Sequence, residues 1–151
     1  KIIGSDLRLF FYKRGFLKNT SSVINIDKKY KLFFVLIKPK IKCSTKKIYS
    51  KVKKYSKKKL LKIKEINTKK KFINLLIKSR NDLQSVVEKK YPLIKKLLKD
   101  IGNEDGCCFS RMTGSGSVCY GLFEDENVAK KALNKLKIKY PTFWFSFAKT
   151  V

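Results

Sequence analysis

Met112 to Ser117, MTGSGS, is the segment best suited to hold an anion, because glycine lets the backbone approach closely and successive N–H groups can form a nest. The same Gly-Ser-Gly pattern also makes a plain hairpin turn. It is not a Walker loop: no GxxxxGKS or GxxxxGKT occurs, and a strand rather than a helix is expected to follow. Asp6, in GSDLRLFF, is an unusual acid in apolar and basic surroundings, and by itself it reads as a helix or turn cap. Asn81-Asp82 has the residue types that cap a following helix. Histidine is absent, which removes the commonest general base, Ser-His and Cys-His nucleophiles and every His-based metal site. Chemistry must therefore run on carboxylates, lysines, hydroxyls or backbone amides. The cysteines are Cys43, Cys107, Cys108 and Cys119, with no CxxC pair. On a strand, Cys107 and Cys108 would point to opposite faces. They read as buried structural thiols, and no metal site is expected.

These residues must be positioned by a small set of elements. Residues 31–38, KLFFVLIK, form a β-rich apolar run stopped by Pro39, which predicts a buried strand. Residues 44–55 begin with Ser-Thr and space Ile48, Val52 and Tyr55 as a helix would. Residues 56–72, rich in Lys and weakly periodic, read as a surface loop or a frayed helix. From Asn81 the pattern sharpens: Leu83, Val86 and Val87 share a helical face, as do Ile94, Leu97, Leu98 and Ile101. Pro92 either begins a second helix or kinks the first, and Gly102 is expected to end it. Residues 107–113 and 117–123 read as strands around Gly114-Ser115-Gly116. Glu124, Asp125 and Glu126 favour a helix start, followed by an apolar face of Val128, Ala132, Leu133 and Leu136. Pro141 breaks that helix before a last strand, TFWFSFAK. The order β-α-(loop)-α-β-β-α-β predicts an α+β domain of ferredoxin-like type.

The 151 residues allow about one domain. Lys+Arg number 38 against 11 Asp+Glu, a formal net charge of +27, while 43% hydrophobic content is too high for a disordered basic tail. The charge suggests a polyanion partner. Yet the excess is nearly all Lys, alongside abundant Ile, Asn, Tyr and Phe, as a biased base composition in the gene would produce. Arg, the better phosphate and guanine ligand, is scarce. The densest run, Lys46 to Lys64, has few aromatics to stack bases. Two readings stand: a solvated basic surface that binds nucleic acid nonspecifically at low salt, or a basic nucleic-acid-binding module on a ferredoxin-like scaffold. No apolar run approaches the ~20 residues that span a bilayer. Residues 1–11 lack a secretory pattern, so a soluble, cytoplasmic protein is expected.

In order, the blocks GSDLRLFF, PKIKCSTKKIY, RNDLQSVVEKKYPLI, SRMTGSGSVCYGLF and FWFSFAK resemble the 4-diphosphocytidyl-2-C-methyl-D-erythritol kinases of the GHMP kinase superfamily. The resemblance covers nearly all of the chain as the C-terminal half of that family's chain. It implies residues 1–20 as the end of the N-terminal, ribosomal S5-like catalytic domain and 21–151 as the GHMP kinase C-terminal domain. It further implies ATP-dependent phosphorylation of the 2-hydroxyl of 4-diphosphocytidyl-2-C-methyl-D-erythritol in the non-mevalonate isoprenoid pathway, with Mg²⁺ accompanying ATP. By match, Asp6 falls on the catalytic base, Thr45 on a threonine near the cytidyl substrate, and Gly114, Ser115 and Gly116 on the Gly-rich substrate loop. The family's GLGGGSSNAA-type ATP loop and its PAKINL-like segment with the catalytic lysine have no counterpart here. Arg8 stands where the family has proline, and FLKNTSSV matches nothing in it. The resemblance thus implies a truncated form, for which a separate N-terminal half is a candidate partner.

Overall fold

The computed structural model describes residue 11 and residues 15–19, 22–25, 29–56 and 66–150. A hairpin pairs β1 (Gly15–Asn19) with β2 (Ser22–Asn25) in antiparallel register. The main body then runs β3 (Phe33–Lys38), α1 (Thr45–Tyr49), α2 (Lys69–Lys78), α3 (Gln84–Lys90), α4 (Pro92–Gly102), β4 (Cys107–Met112), β5 (Cys119–Phe123), α5 (Glu126–Lys139) and β6 (Trp144–Lys149).

Four strands form one antiparallel sheet in the order β4-β5-β3-β6. The first strand of the body thus lies inside, between the third and the last, which is the ferredoxin-like arrangement expected for this α+β domain. β3 holds that place because it is apolar on both faces. Phe33, Val35 and Ile37 are buried beneath α4 and α5, while Phe34 packs on the other face with Leu122, Phe109 and α2. α4 contributes Ile94, Leu97, Leu98 and Ile101, and α5 Ala129, Ala132, Leu133 and Leu136. All are buried with Met112, Cys119 and Phe123 of the sheet. Cys107 joins this cluster and Cys108 the one on the opposite face, as alternation along a strand requires. Of the four cysteines only Cys119 is fully buried; the others are half-buried.

Helix boundaries follow local chemistry. Ser44 caps α1, its side chain accepting from the Lys47 amide, but α1 stops at Tyr49 rather than running to residue 55. Ser50 Oγ donates to the Lys47 carbonyl, and Lys47 and Lys51 would repel each other at i,i+4 in a longer helix. Beyond it, Asp82 fixes Ser56, accepting from its amide at 2.9 Å and its hydroxyl at 2.5 Å. The loop or frayed helix expected over 56–72 gives way at its end to an ordered helix: α2 starts at Lys69, capped by Thr68. Its stripe of Phe72, Ile73 and Leu76 finds an apolar sheet face that weak local periodicity did not disclose. Arg111 of β4 then donates to the carbonyls of Leu76 and Ile77 at the α2 C-terminus. Pro92 starts a new helix rather than kinking one. Gly102 does not terminate α4 through a left-handed turn. It is the last helical residue, the cap is Asn103 in right-handed geometry, and the positive φ of 71° falls at Gly106. What Gly102 supplies is space, since a Cβ there would lie 3.2 Å from Ser110 Oγ.

Candidate functional site

The site is built on the turn between β4 and β5. Thr113 N donates to Val118 O at 2.8 Å and Gly116 N to Thr113 O at 2.9 Å, closing a tight bend. Gly114 has φ 45° and Gly116 φ 88°, backbone conformations that side chains disfavour. At Gly116 space matters as well: a Cβ would lie 2.8 Å from Met112 Sδ and 3.2 Å from Cys43 Sγ.

Two distant segments, residues 81–84 and 41–45, fix this turn. Asn81 Nδ2 donates to both the Met112 and Gly114 carbonyls at 2.8 Å, while its Oδ1 accepts from Leu83 N at 3.0 Å. Gln84 Oε1 accepts from Met112 N at 3.0 Å. Buried Ser117 donates to Ile41 O at 2.7 Å, tying the turn to the segment that leads from β3 into α1. That segment carries Thr45, whose Oγ1 lies 2.9 Å from Ser115 Oγ, a hydrogen bond that either hydroxyl can donate. The result is a pair of exposed hydroxyls beside a glycine backbone held in one conformation, a surface able to present hydroxyls and amides to a polar ligand.

The structure brings together Thr45, Gly114, Ser115 and Gly116, the four substrate residues assigned from the sequence. Asp6 lies outside the described residues. Asn81, expected as a helix cap, instead spends its amide on the turn; α3 starts without a side-chain cap, and Asp82 holds Ser56. Asn81, Gln84 and Ser117 were not assigned to the site from sequence. The signal was present in the joint occurrence of the RNDLQ and RMTGSGS blocks, which the bonds of Asn81 and Gln84 connect, while Ser117 joins the turn to Ile41 of the PKIKCSTKKIY block.

The thiols do not lend themselves to nucleophilic work. Burial pushes up the Cys43 thiol against the opposing charge of Lys90, and burial raises Cys107 to about 11 and Cys119 to about 12. Among the described residues, no group of three or more Cys, Asp or Glu could hold a metal ion. None of the described helices is long and apolar enough to cross a membrane. The Lys46 to Lys64 run extends into residues 57–65, outside the described residues.

Comparison with known proteins gives this geometry a context. Residues 58–142 match the family profile described as GHMP kinases C terminal. The chain is 34% identical over 148 residues to the 4-diphosphocytidyl-2-C-methyl-D-erythritol kinase of Anaplasma phagocytophilum, covering 96% of this chain and 49% of the relative. It is 32% identical over 150 residues to the enzyme of that name from Pelagibacter ubique, covering 99% and 52%. The Wolbachia enzyme from Brugia malayi is 33% identical over 118 residues. The chain spans about half the length of the curated relatives it matches. Among solved structures, a homoserine kinase from Cytophaga hutchinsonii superposes with a TM-score of 0.50 at 13% identity, over 91% of this chain and 47% of that one, a likeness of fold.

Proposed function

Since the chain belongs to the GHMP kinase family and carries that family's C-terminal domain, we propose that the Thr45–Ser115 surface is the substrate wall of a 4-diphosphocytidyl-2-C-methyl-D-erythritol kinase. The observation that carries this reading is the 2.9 Å contact between Thr45 and Ser115. Two segments 70 positions apart, each assigned to the substrate by its own motif, meet at one place.

In this reading the turn orients the cytidyl-bearing substrate through the two hydroxyls and the backbone of Gly114 to Gly116. Asp6 accepts the proton of the 2-hydroxyl as its oxygen bonds to the γ-phosphorus of ATP, while the bond from that phosphorus to the bridging oxygen breaks and ADP leaves. Such transfer depends on positioning more than on covalent participation by the protein. Neither the GLGGGSSNAA-type ATP loop nor the PAKINL-like lysine segment that the resemblance calls for occurs in this sequence. The nucleotide is therefore assigned to the part of the enzyme that the relatives carry beyond this chain's match, with residues 1–20 as the end of that catalytic domain and 21–151 as the substrate-facing domain. The boundary falls between β1 and β2 in the sequence.

The test is a titration of the purified chain with 4-diphosphocytidyl-2-C-methyl-D-erythritol, followed by amide NMR, beside Thr45→Val and Ser115→Ala. Shifts concentrated at Thr45 and Gly114 to Gly116, with affinity lowered at least fivefold in either variant, are expected. Shifts located elsewhere, or unchanged affinity in both variants, would remove the turn from the substrate site.

A further inference from the structure

The strand register places a second constellation at the far end of the sheet. The Gly-rich turn adjoins the row of Met112, Cys119, Ile37 and Phe145, whereas Phe123, Phe33 and Lys149 form the opposite terminal row. The four residue steps from Phe33 to Ile37 separate the two ends by roughly 14 Å at ~3.4 Å per residue. At the far end lies a cavity of about 250 Å³ lined by Tyr30, Phe33 and Thr150 together with Lys29, Lys31 and Lys149.

The walls of this cavity are fixed. Thr150 Oγ1 donates to Tyr30 O at 2.6 Å and accepts from Leu32 N at 2.9 Å, clasping the segment before β3 to the end of β6. The Tyr30 ring stacks on Phe72 and the Phe33 ring on Phe147. The charge is unbalanced. Glu126 also lines the cavity; it pairs with Lys130 at 2.7 Å and feels the charge of Lys149, so one shared carboxylate stands against the three lysines of the lining. Lys29, Lys31 and Lys149 have no carboxylate within ion-pair distance among the described residues. Lysines abound on this protein, but here three of them share a concave aromatic surface, brought from two segments about 120 positions apart.

We propose that this cavity binds a small phosphorylated molecule, its phosphate held by Lys29, Lys31 and Lys149 and its compact apolar body lying against Tyr30 and Phe33. The size sets the class. A benzene-sized body occupies a cavity of ~150 Å³, so the space here holds such a body with one phosphate and falls short of the ~300 Å³ where sites for larger ligands begin. The site is independent of the substrate wall and stands whether or not that assignment holds.

Phenyl phosphate is the probe, titrated into the whole chain at physiological salt and followed by amide NMR. Saturable shifts are expected at Leu32, Phe33 and Thr150, with inorganic phosphate binding at least fivefold more weakly. The variant Lys29→Gln/Lys31→Gln/Lys149→Gln should lose at least tenfold in affinity. The charge-matched variant Lys53→Gln/Lys54→Gln/Lys95→Gln, exposed and remote in sequence from the cavity, should stay within twofold of the parent. Equal losses in the two variants, or shifts scattered over the lysine-rich surface, would reduce the effect to net charge and overturn the site. Equal affinity for inorganic and phenyl phosphate would overturn the ligand class.

Discussion

Asn81 offers the sharpest test of how the site is held. Its side chain makes three hydrogen bonds, two donated to the carbonyls of Met112 and Gly114 and one accepted from Leu83 N. At ~1 kcal/mol net for each bond, less some recovery by water at this partly exposed position, Asn81→Ala should destabilise the chain by ~1.5–3 kcal/mol. Asn81→Asp keeps the acceptor for Leu83 but places a carboxylate oxygen against two carbonyl oxygens. A unit charge beside a roughly half-charged oxygen at that spacing costs up to about 3 kcal/mol at an effective dielectric of ~20. Rotation of the side chain will relieve part of this, so the near-isosteric change should exceed Asn81→Ala by ~1–2 kcal/mol. The excess should depend on pH. The introduced carboxyl has its folded pKa raised above ~3.9, so the penalty is absent below about pH 4 and complete above about pH 6. Urea unfolding from pH 3.5 to 7 measures this, with hydrogen exchange at Gly114 to Ser117 reporting the turn. If Asn81→Asp proved as stable as Asn81→Ala at neutral pH, or if turn protection were unchanged in both, Asn81 would not be what holds the turn.

Three further outcomes follow from the packing. Gly121→Ala would bring its Cβ 2.5 Å from Ile101 Cγ2 in the core and should cost ~1–3 kcal/mol; paired with Ile101→Ala, denaturation should show at least ~1 kcal/mol of favourable coupling, and strict additivity would refute the clash. Ser117→Ala should cost ~1–2 kcal/mol by leaving the Ile41 carbonyl unpaired, and exchange should rise at Thr45; unchanged exchange there would show that α1 is held by other contacts. Burial works to raise the Asp100 carboxyl, but hydrogen bonds from Tyr140 and Lys139 outweigh it and hold the pKa below the usual carboxylate value. That stabilisation is present above the unfolded pKa of ~3.9 and is lost as pH falls through the folded value. Acid unfolding of Tyr140→Phe should therefore begin at higher pH than in the parent, and coincident acid transitions would contradict it.

The elements that could be read from the sequence are those whose periodicity is strong and whose ends carry their own chemistry. α4 has Pro92 at its start and four core residues at helical spacing, and α5 is opened by Asp125, which accepts from Val128 N at 2.9 Å. α2 was concealed because Lys69, Lys70 and Lys71 precede a stripe of only three apolar residues, whose burial depends on a sheet assembled from distant parts of the chain. α1 was overextended because Val52 continues the spacing and does pack on the core, although from outside the helix. The motifs identified the hydroxyls and glycines of the site. They could not reveal that Asn81 serves the turn, because a helix cap and a loop tether use the same side-chain atoms and differ only in which carbonyls come within reach. The cavity at the far end was equally hidden, since its lysines look like any others until the strands are paired.

The pairing of β3 with β6, sealed by Thr150 on Tyr30 and Leu32, also governs when this domain can fold. Synthesis proceeds from the N-terminus, so β3 is made more than a hundred residues before β6, the partner of one of its two edges. The helical αα pairs can form meanwhile, but the sheet cannot close until β6 has been made. During that interval one edge of FFVLIK lies open, preceded by Lys29 and Lys31, ended by its own Lys38 and followed by Lys40. Charges in those positions act as gatekeepers against premature strand association between nascent chains. Part of the lysine excess thus has a use that the finished fold no longer displays.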